Sequence, residues 1–401
     1  MGFQRGFEFG LIKRYFFSLA KVLGSNGISH FSNPCPLFCI SFIFSHMKLI
    51  LLSFTFIFLL PYQNIAQDLG RYASPEAAGY DAERLEDLRN FIESDARTTG
   101  MLVLVDGKVL FEHGKLKKLS YIASCRKSVL AMLYGKHVES GKIDLSTQIG
   151  EMNMDDVQGL LPIEKKAQID HLITARSGVY HPASNGGDNS RNAPERGSQE
   201  PGTYYLYNNW DFNAAGYALE AHTGTSIYEE IESQLAIPLG MQDWKLKRQK
   251  KFHKKKRSIY PAYHMYFSTR DMARIGQLML QDGYWEGKKI LPTDWVQKIR
   301  STVTPAEVVN LNPKGGRYPQ MSYGYMWWIV PEFKERPELE GMYTASGYGG
   351  QFITIIPKLK MVVAHKTKLD LFSLLGWQYK ATREEVYFEM LYKLAEARIS
   401  T

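Results

Sequence analysis

The sequence predicts an α/β (α+β) fold in which an antiparallel sheet, flanked by helices, carries an inserted and mostly helical lobe. Strand patterns lie near both ends of the chain, whereas residues from about 144 to 300 read as helices separated by polar loops that contain Gly and Pro. Strands so far apart must meet in one sheet, with the helical segment inserted between them. With 44% hydrophobic and 22% charged residues, the composition is ordinary for a globular protein.

The first elements are a helix and a hairpin. Residues 81–96 carry apolar side chains at helical spacing, and Asp81 is the predicted N-cap. Two apolar runs, 101–105 and 108–113, enclose Asp106-Gly107, a dipeptide typical of a tight β-hairpin turn.

A second long helix is predicted from Ser124 to Ser140, because Gly141 supplies the left-handed residue that commonly ends a helix. Three later strands and a closing helix complete the pattern: Tyr323–Val330, Gln351–Ile356, Met361–Ala364 and Arg383–Ala397. No internal repeat or linker divides this part of the chain.

The N-terminal segment has the pattern of a secretory signal peptide. A basic start at Met47-Lys48 leads into Leu49–Leu60, an apolar run too short for a comfortable membrane span. We therefore expect residues 47–66 to be a signal peptide, residues 1–46 to be an upstream over-extension and residues 67–401 to form one domain. The expected location is secreted or periplasmic.

The formal net charge of +8 is concentrated in Lys245–Arg257 (KLKRQKKFHKKKR). Such a run is usually a solvated loop or helix face, and no nucleic-acid-binding motif accompanies it, so no nucleic-acid partner is expected. Loose attraction to anionic envelope polymers is the milder interpretation. The pattern leaves the oligomeric state undetermined.

The cysteines predict no disulfide framework. Cys35 and Cys39 fall within the expected over-extension, which leaves Cys125 without a partner. A single unpaired thiol in an oxidising compartment is best explained as a buried side chain.

Ser124 and Lys127 form the pair that carries nucleophilic chemistry. A serine hydroxyl needs an adjacent base, and positions i and i+3 share one face of a helix. At a helix N-terminus the dipole favours developing negative charge, and a lysine that loses solvent becomes a base. Cys125 lies on another face and is predicted to be in the core. An isolated Ser-x-x-Lys is more often a surface helix cap, so the context decides.

A second pair, Tyr207 and Asn209, lies at a predicted loop–helix junction. Two residues apart, both side chains can face one cleft, where Tyr207 could relay protons and Asn209 could hold the lysine or a substrate amide. The alternative is an aromatic loop that packs on the core, a role better suited to Tyr204 or Tyr205.

Together, Ser124-x-x-Lys127, Tyr207-x-Asn209 about 80 residues on and a Gly-rich entry to the strand Phe352–Pro357 resemble the class C β-lactamase, DD-peptidase and esterase family. Supporting phrases are Ile169–Gly178, Pro201-Gly202-Thr203 and Gly287–Trp295. The resemblance spans roughly residues 75–395 and is greatest to the branch of carboxylesterases and 6-aminohexanoate-oligomer hydrolases. It implies a β-lactamase/transpeptidase-like fold.

The resemblance also implies roles. Ser124 would form an acyl-enzyme, Lys127 would take its proton, and Tyr207 would pass a proton to the leaving group. Asn209 would orient Lys127 or the substrate.

The family's third motif, Lys-Thr-Gly or His-x-Gly, is missing in that form. By resemblance its place is taken by Ser346-Gly347-Tyr348-Gly349-Gly350, whose first four residues join Asn209 as expected substrate-binding residues. We interpret Lys366-Thr367-Lys368 as a strand end, because it lacks the glycine. Without a lysine in this motif, an esterase or amidase acting on a small molecule is favoured over a β-lactamase. A penicillin- or cell-wall-peptide-binding sensor with slow or no turnover is the alternative.

No cofactor or metal is expected. A Gly-x-Ser-x-Gly elbow and a phosphate-binding glycine loop are both absent from the sequence. The histidines His113, His171, His181, His222 and His264 fall into no metal-ligand spacing and are expected to be structural or exposed.

Overall fold

The computed structural model describes residues 68–309, 318–367 and 381–399. Their strands, in chain order, are β1 Thr98–Val105, β2 Lys108–Gly114, β3 Ser120–Tyr121, β4 Lys250–Phe252, β5 Ala262–His264, β6 Tyr266–Phe267, β7 Tyr284–Trp285, β8 Lys288–Lys289, β9 Ser322–Tyr323, β10 Trp328–Ile329, β11 Tyr343–Gly347, β12 Gln351–Ile356 and β13 Met361–Thr367. Their helices are α1 Ala82–Asp95, α2 Cys125–Glu139, α3 Ile169–Ile173, α4 Asn209–Thr223, α5 Ile227–Ile231, α6 Thr269–Leu280, α7 Thr293–Ile299, α8 Ala306–Val309 and α9 Glu384–Glu396.

Seven of the described strands form one antiparallel sheet in the order β2-β1-β13-β12-β11-β10-β9. The hairpin β1–β2 from the start of the domain pairs with β13 near its end, with Val103 opposite Val363. The predicted sheet completed by distant segments is therefore confirmed.

The sheet is buried on both faces. Along β1, Leu102 and Leu104 join one hydrophobic cluster, whereas Met101, Val103 and Val105 join another. This alternation follows from the two-residue period of a strand. Helices α1 and α9 pack together and contribute to the second cluster, while α2 and α6 contribute to the first.

The predicted local signals at the start of the domain are confirmed. The Asp81 carboxylate accepts a hydrogen bond from the Arg84 N–H at 3.0 Å and caps α1. Asp106 and Gly107 have φ values of 47° and 77°, as a two-residue hairpin turn with left-handed central residues requires.

The single strand predicted over Tyr323–Val330 is wrong. The structure has two short strands, β9 and β10, joined by a turn in which Met326 has a φ of 60°. A side chain at Gly324 would lie 2.6 Å from the Ile299 and Ser301 carbonyl oxygens, so the chain turns where only glycine fits. The apolar run is buried in both arrangements, and its composition alone does not reveal the turn.

The inserted segment is more varied than predicted. Helix α6, inside the expected lobe, packs against β1, β12 and β13 of the sheet. Short strand pairs, β4–β5 and β7–β8, lie among the helices.

The expected signal peptide, the expected over-extension and the cysteines Cys35 and Cys39 lie outside the described residues. Within the part of the chain that the structure describes, no helix is both long and apolar enough to cross a membrane.

Candidate active site

Ser124 stands at a tight turn between strand β3 and helix α2. The Cys125 N–H donates to the Ile122 carbonyl at 3.2 Å, and Ala123 between them has a φ of 49°. The Ile122 N–H is held by the Met265 carbonyl at 3.1 Å. Ile122, Ala123 and Cys125 are buried, whereas Ser124 is partly exposed. The turn thus presents the hydroxyl at the N-terminus of α2.

Lys127 brings the three predicted catalytic residues together. Its side chain is buried, and Nζ lies 3.0 Å from Ser124 Oγ and 2.7 Å from Tyr207 Oη. The same nitrogen lies 4.2 Å from the centre of the Tyr207 ring and 4.6 Å from that of Phe212. The amine therefore bridges the two hydroxyl groups in an aromatic enclosure.

The surroundings favour the neutral amine. Burial, and then the neighbouring Arg126 guanidinium, hold the pKa of Lys127 well below its usual range, while the Asp188 carboxylate acts in the opposite direction. Arg126 is itself buried and donates to Asn213 Oδ1 at 3.3 Å. Lys127 is thereby better suited to accept a proton than a solvated lysine.

Tyr207 is held by aromatic neighbours. Its ring lies 5.0 Å from Phe212, 5.6 Å from Trp328 and 5.9 Å from Tyr323, measured between ring centres. Burial raises the pKa of Tyr207 above its usual range, so the phenol keeps its proton at neutral pH. A protonated phenol of this kind can donate a proton but does not act as a base. Tyr205 packs on the core with its ring 5.4 Å from Tyr323, as the sequence predicted.

Asn209 is buried beside the site, but its hydrogen bonds go to other partners than predicted. Its Nδ2 donates to the Gly186 carbonyl at 2.9 Å, and its backbone N–H donates to Asp188 Oδ2 at 2.7 Å. Among the described residues its Oδ1 has no hydrogen-bond partner. The side chain fastens a loop and leaves one buried acceptor, and the structure shows no hydrogen bond to Lys127.

The loop that Asn209 fastens contains a residue that the sequence reasoning missed. Asp188 accepts hydrogen bonds from the Asn209 N–H at 2.7 Å and from Ser190 Oγ at 2.7 Å. The next residue, Asn189, donates its N–H to the Tyr207 carbonyl at 2.9 Å. Asp188 is thus fixed close enough to influence both Lys127 and Tyr207. No periodic pattern or motif in the loop marked it.

The Gly-rich segment predicted to replace the third motif lies against the turn that holds Ser124. A side chain at Gly347 would lie 2.5 Å from the Ile122 carbonyl oxygen and 3.2 Å from the Cys125 nitrogen, so only glycine permits this approach. Ser346, opposite Phe352 in the β11–β12 pair, is partly exposed, and Tyr348 is 61% exposed. Gly349 follows with a φ of 83°.

Cys125 fastens helix α2 to this segment. It is fully buried, and Sγ lies 3.4 Å from the Ala345 carbonyl oxygen and 3.2 Å from that of Gln351. Burial raises the pKa of the thiol, which makes it a poor nucleophile. The prediction that Cys125 belongs to the core is confirmed.

Lys366 is the penultimate residue of strand β13, as expected for a strand end. Its ammonium donates to the Lys118 carbonyl at 3.1 Å and to the Phe267 carbonyl. Burial lowers its pKa to about 7. The Lys366 side chain therefore makes hydrogen bonds to backbone carbonyl oxygens.

The histidines within the described ranges belong to no metal-ligand cluster. No group of three or more metal-ligating side chains exists in the described ranges. His181, beside the loop, is buried, and its Nε2 lies 2.7 Å from the Val157 carbonyl oxygen. This contact is a structural one.

The fold, and a site in which a serine and a tyrosine both contact one buried lysine, are those of a serine hydrolase. The family description "Beta-lactamase" matches residues 82–369, which is more than half of the chain. The chain therefore belongs to the beta-lactamase family of serine hydrolases.

Solved structures share the fold at low sequence identity. A protein assigned as a 6-aminohexanoate-dimer hydrolase from Bacillus anthracis is 20% identical, with a TM-score of 0.59 over 82% of this chain and 88% of that one. A protein assigned as a beta-lactamase from Bacteroides dorei is 18% identical, with a TM-score of 0.58 over 79% and 99%. EstCE1, a hydrolase with promiscuous acyltransferase activity, is 14% identical, with a TM-score of 0.55 over 80% and 98%.

One curated relative, an uncharacterised protein of Alkalihalophilus pseudofirmus, is 26% identical over 104 residues. This match covers 25% of the chain and 29% of that protein.

Proposed function

We propose that this protein hydrolyses a small ester or amide through an acyl-enzyme formed on Ser124. The observation that carries the proposal is the position of Lys127 Nζ, 3.0 Å from Ser124 Oγ and 2.7 Å from Tyr207 Oη. One buried amine in contact with two hydroxyl groups can activate a nucleophile on one side and receive a proton from, or pass it to, the other.

In the first half-reaction, neutral Lys127 removes the Ser124 proton while Oγ attacks the carbonyl carbon. The oxyanion forms at the N-terminus of α2, where the Ser124 N–H is one donor and the β11–β12 turn supplies the second. Tyr207 gives its proton to the leaving group as the bond to the carbonyl carbon breaks, and Lys127 returns a proton to Tyr207. Water then attacks the acyl-serine by the same steps in reverse.

The third motif favours an ester or amide over a penicillin. Ser346 and Gly347 stand where the family has a cationic or imidazole side chain, so no lysine at this position grips a substrate carboxylate. The fold neighbours include a protein assigned as a 6-aminohexanoate-dimer hydrolase and the hydrolase EstCE1, but also a protein assigned as a beta-lactamase, so the choice of substrate class rests on the third motif. Asn209 Oδ1, buried and without a partner among the described residues, is a candidate acceptor for a substrate amide.

A covalent adduct on Ser124 tests the proposal. Intact mass after incubation with a fluorophosphonate is expected to show one adduct on the wild type and none on Ser124→Ala. Multiple turnovers of a p-nitrophenyl ester are expected alongside it. An adduct without turnover would favour the slow sensor protein instead, and no adduct at all would contradict both.

We further propose export through a signal peptide within residues 47–66, on the basic start and short apolar run of the sequence. N-terminal sequencing of the secreted or periplasmic protein is expected to begin near Gln67. A protein that retains residues 1–46 would contradict the proposal.

A further inference from the structure

One short stretch accounts for the net positive charge of this protein. Nine of the thirteen residues in Lys245–Arg257 are lysine or arginine, and none is acidic. Since the whole chain has a formal net charge of +8, the remaining 388 residues carry −1. The stretch is therefore a local excess of cations, which produces a directed electrostatic field.

The structure makes this stretch a fixed ribbon. Among the described residues, strand β4 pairs with β5 alone and no strand pairs with its other edge, and all three residues of β4 are exposed. The tip that follows, Lys254–Arg257, is a turn closed by the Arg257 N–H, which donates to the Lys254 carbonyl at 2.8 Å.

Beyond the tip, the chain is anchored to a buried carboxylate. Ser258 Oγ donates to Asp156 Oδ2 at 2.6 Å, and the Ile259 N–H donates to Asp156 Oδ1 at 2.8 Å. A tip fixed in this way loses little conformational freedom when a partner binds.

The cations of this basic ribbon are largely uncompensated. Among the described residues, Lys251 forms an ion pair with Glu220 at 2.7 Å, and no other lysine or arginine of the ribbon has an ion pair. Lys254, Lys255, Lys256 and Arg257 are all exposed. Repulsion among neighbouring ammonium groups is relieved when anions bind between them.

Ring contacts connect the ribbon to the turn that holds Ser124. The Phe252 ring stacks on His264 with 5.4 Å between ring centres, and the His264 ring lies 4.5 Å from that of Tyr121. Tyr121 ends β3, three residues before Ser124. A partner bound to the ribbon would therefore lie on the part of the surface next to the catalytic turn.

We propose that the basic ribbon Lys245–Arg257 is a docking surface for an anionic polymer that carries phosphate or carboxylate groups along its length. A polymer fits better than a lipid bilayer, because the tip itself, Lys254–Arg257, is four consecutive exposed cations, whereas the exposed apolar side chains near it, Leu246, Phe252 and Ile259, lie outside the tip. The nearest exposed aromatic, Phe252, is occupied by its stack on His264, with Lys254 Nζ 5.9 Å from its ring centre. Bilayer binding by such segments generally adds inserted apolar groups to the charge.

The test measures binding of the full chain to long-chain polyphosphate and to poly-L-glutamate, with phosphatidylglycerol vesicles of equal total charge as a third probe. We expect the affinity for the polymers to fall steeply with salt, and to fall at least tenfold when Lys254, Lys255 and Lys256 are all replaced by Glu.

A matched control carries the same change of charge elsewhere. Lys166, Lys288 and Lys334 are exposed, and their joint replacement by Glu is expected to change polymer affinity less than threefold. An equal loss of polymer affinity in both triple variants would show that net charge alone causes the binding. Equal affinity for vesicles and polymers would indicate that the ribbon binds lipid bilayers. Either result would overturn the proposal, as would the absence of binding.

The docking proposal can fail independently of the proposed hydrolysis. Binding is measured on Ser124→Ala as well as on the wild type, and is expected to be equal in the two. Turnover of a neutral p-nitrophenyl ester is expected to be unchanged in the triple variant at Lys254–Lys256, which also shows that this variant is folded.

Discussion

The variant Lys127→Met is expected to lose about 10³- to 10⁴-fold in kcat/KM for a p-nitrophenyl ester while remaining folded. Lys127 is 1% exposed, and methionine fills nearly the same buried volume without a basic nitrogen. The loss therefore reports the missing base and not a cavity. Steady-state kinetics together with a thermal melt measure the two effects separately.

A second substitution at the same position separates charge from basicity. Lys127→Arg places a permanent cation beside Ser124 and Tyr207, because a guanidinium does not give up its proton near neutral pH. We expect a loss as large as that of Lys127→Met. Turnover within tenfold of the wild type would show that the cation, and not a neutral base, is what the reaction needs. Lys136→Met, on the same helix, is the control and is expected to leave turnover unchanged.

The pH dependence of the wild type follows from the same residue. The neutral amine is the active form, so kcat/KM rises as pH passes upward through the pKa of Lys127 and is lost as pH falls below it. Because burial and Arg126 lower this pKa, the acid limb is expected well below the usual range of lysine. Lys127→Met should abolish this limb, and a limb in the ordinary lysine range would contradict a lysine base.

The serine–lysine pair could be predicted from the sequence because its geometry is local. Residues at i and i+3 at the start of a helix lie side by side whatever the rest of the fold does. The hairpin at Asp106-Gly107 is local in the same sense. Tyr207 lies 80 residues from Lys127, and its assignment required a resemblance to a family.

What the sequence could not reveal depends on contacts between distant segments. Asp188 lies in a loop without periodicity, and its influence on Lys127 arises only when Asn209 binds the loop. The close approach of Gly347, at the end of β11, to Ile122, in the turn before α2, likewise requires two distant segments of the chain to meet. Trp328, which packs on Tyr207, was assigned to a continuous strand that the structure divides by a turn.

These distant contacts set the chemistry of the local pair. A serine beside a solvated lysine has a protonated neighbour and no base. The aromatic enclosure of Tyr207 and Phe212 removes water from the amine, and Arg126 adds an unfavourable charge, so the same pair gains a base. The motif therefore specifies the reacting atoms, and the tertiary structure specifies their protonation states.

The variant Tyr207→Phe is expected to lose about 10²- to 10⁴-fold in turnover of an alkyl ester or an amide, and much less for a p-nitrophenyl ester. Alkoxide and amine leaving groups need a proton as they depart, whereas p-nitrophenolate departs without one. Burial raises the pKa of Tyr207, which keeps the phenol protonated and ready to donate. The phenylalanine ring retains the packing against Phe212, Trp328 and Tyr323, so the fold should be preserved.

Tyr205→Phe is the matched control for this prediction. Tyr205 lies two residues away in the same segment and is buried, and its hydroxyl has no hydrogen-bond partner within the described ranges. Its loss is expected to leave all three substrates within threefold of the wild type. A dependence on the leaving group that appears for Tyr207→Phe and not for Tyr205→Phe would identify Tyr207 as the proton donor. Equal losses on every substrate would instead assign Tyr207 to holding Lys127 in place, because positioning the base affects the attack on each ester alike.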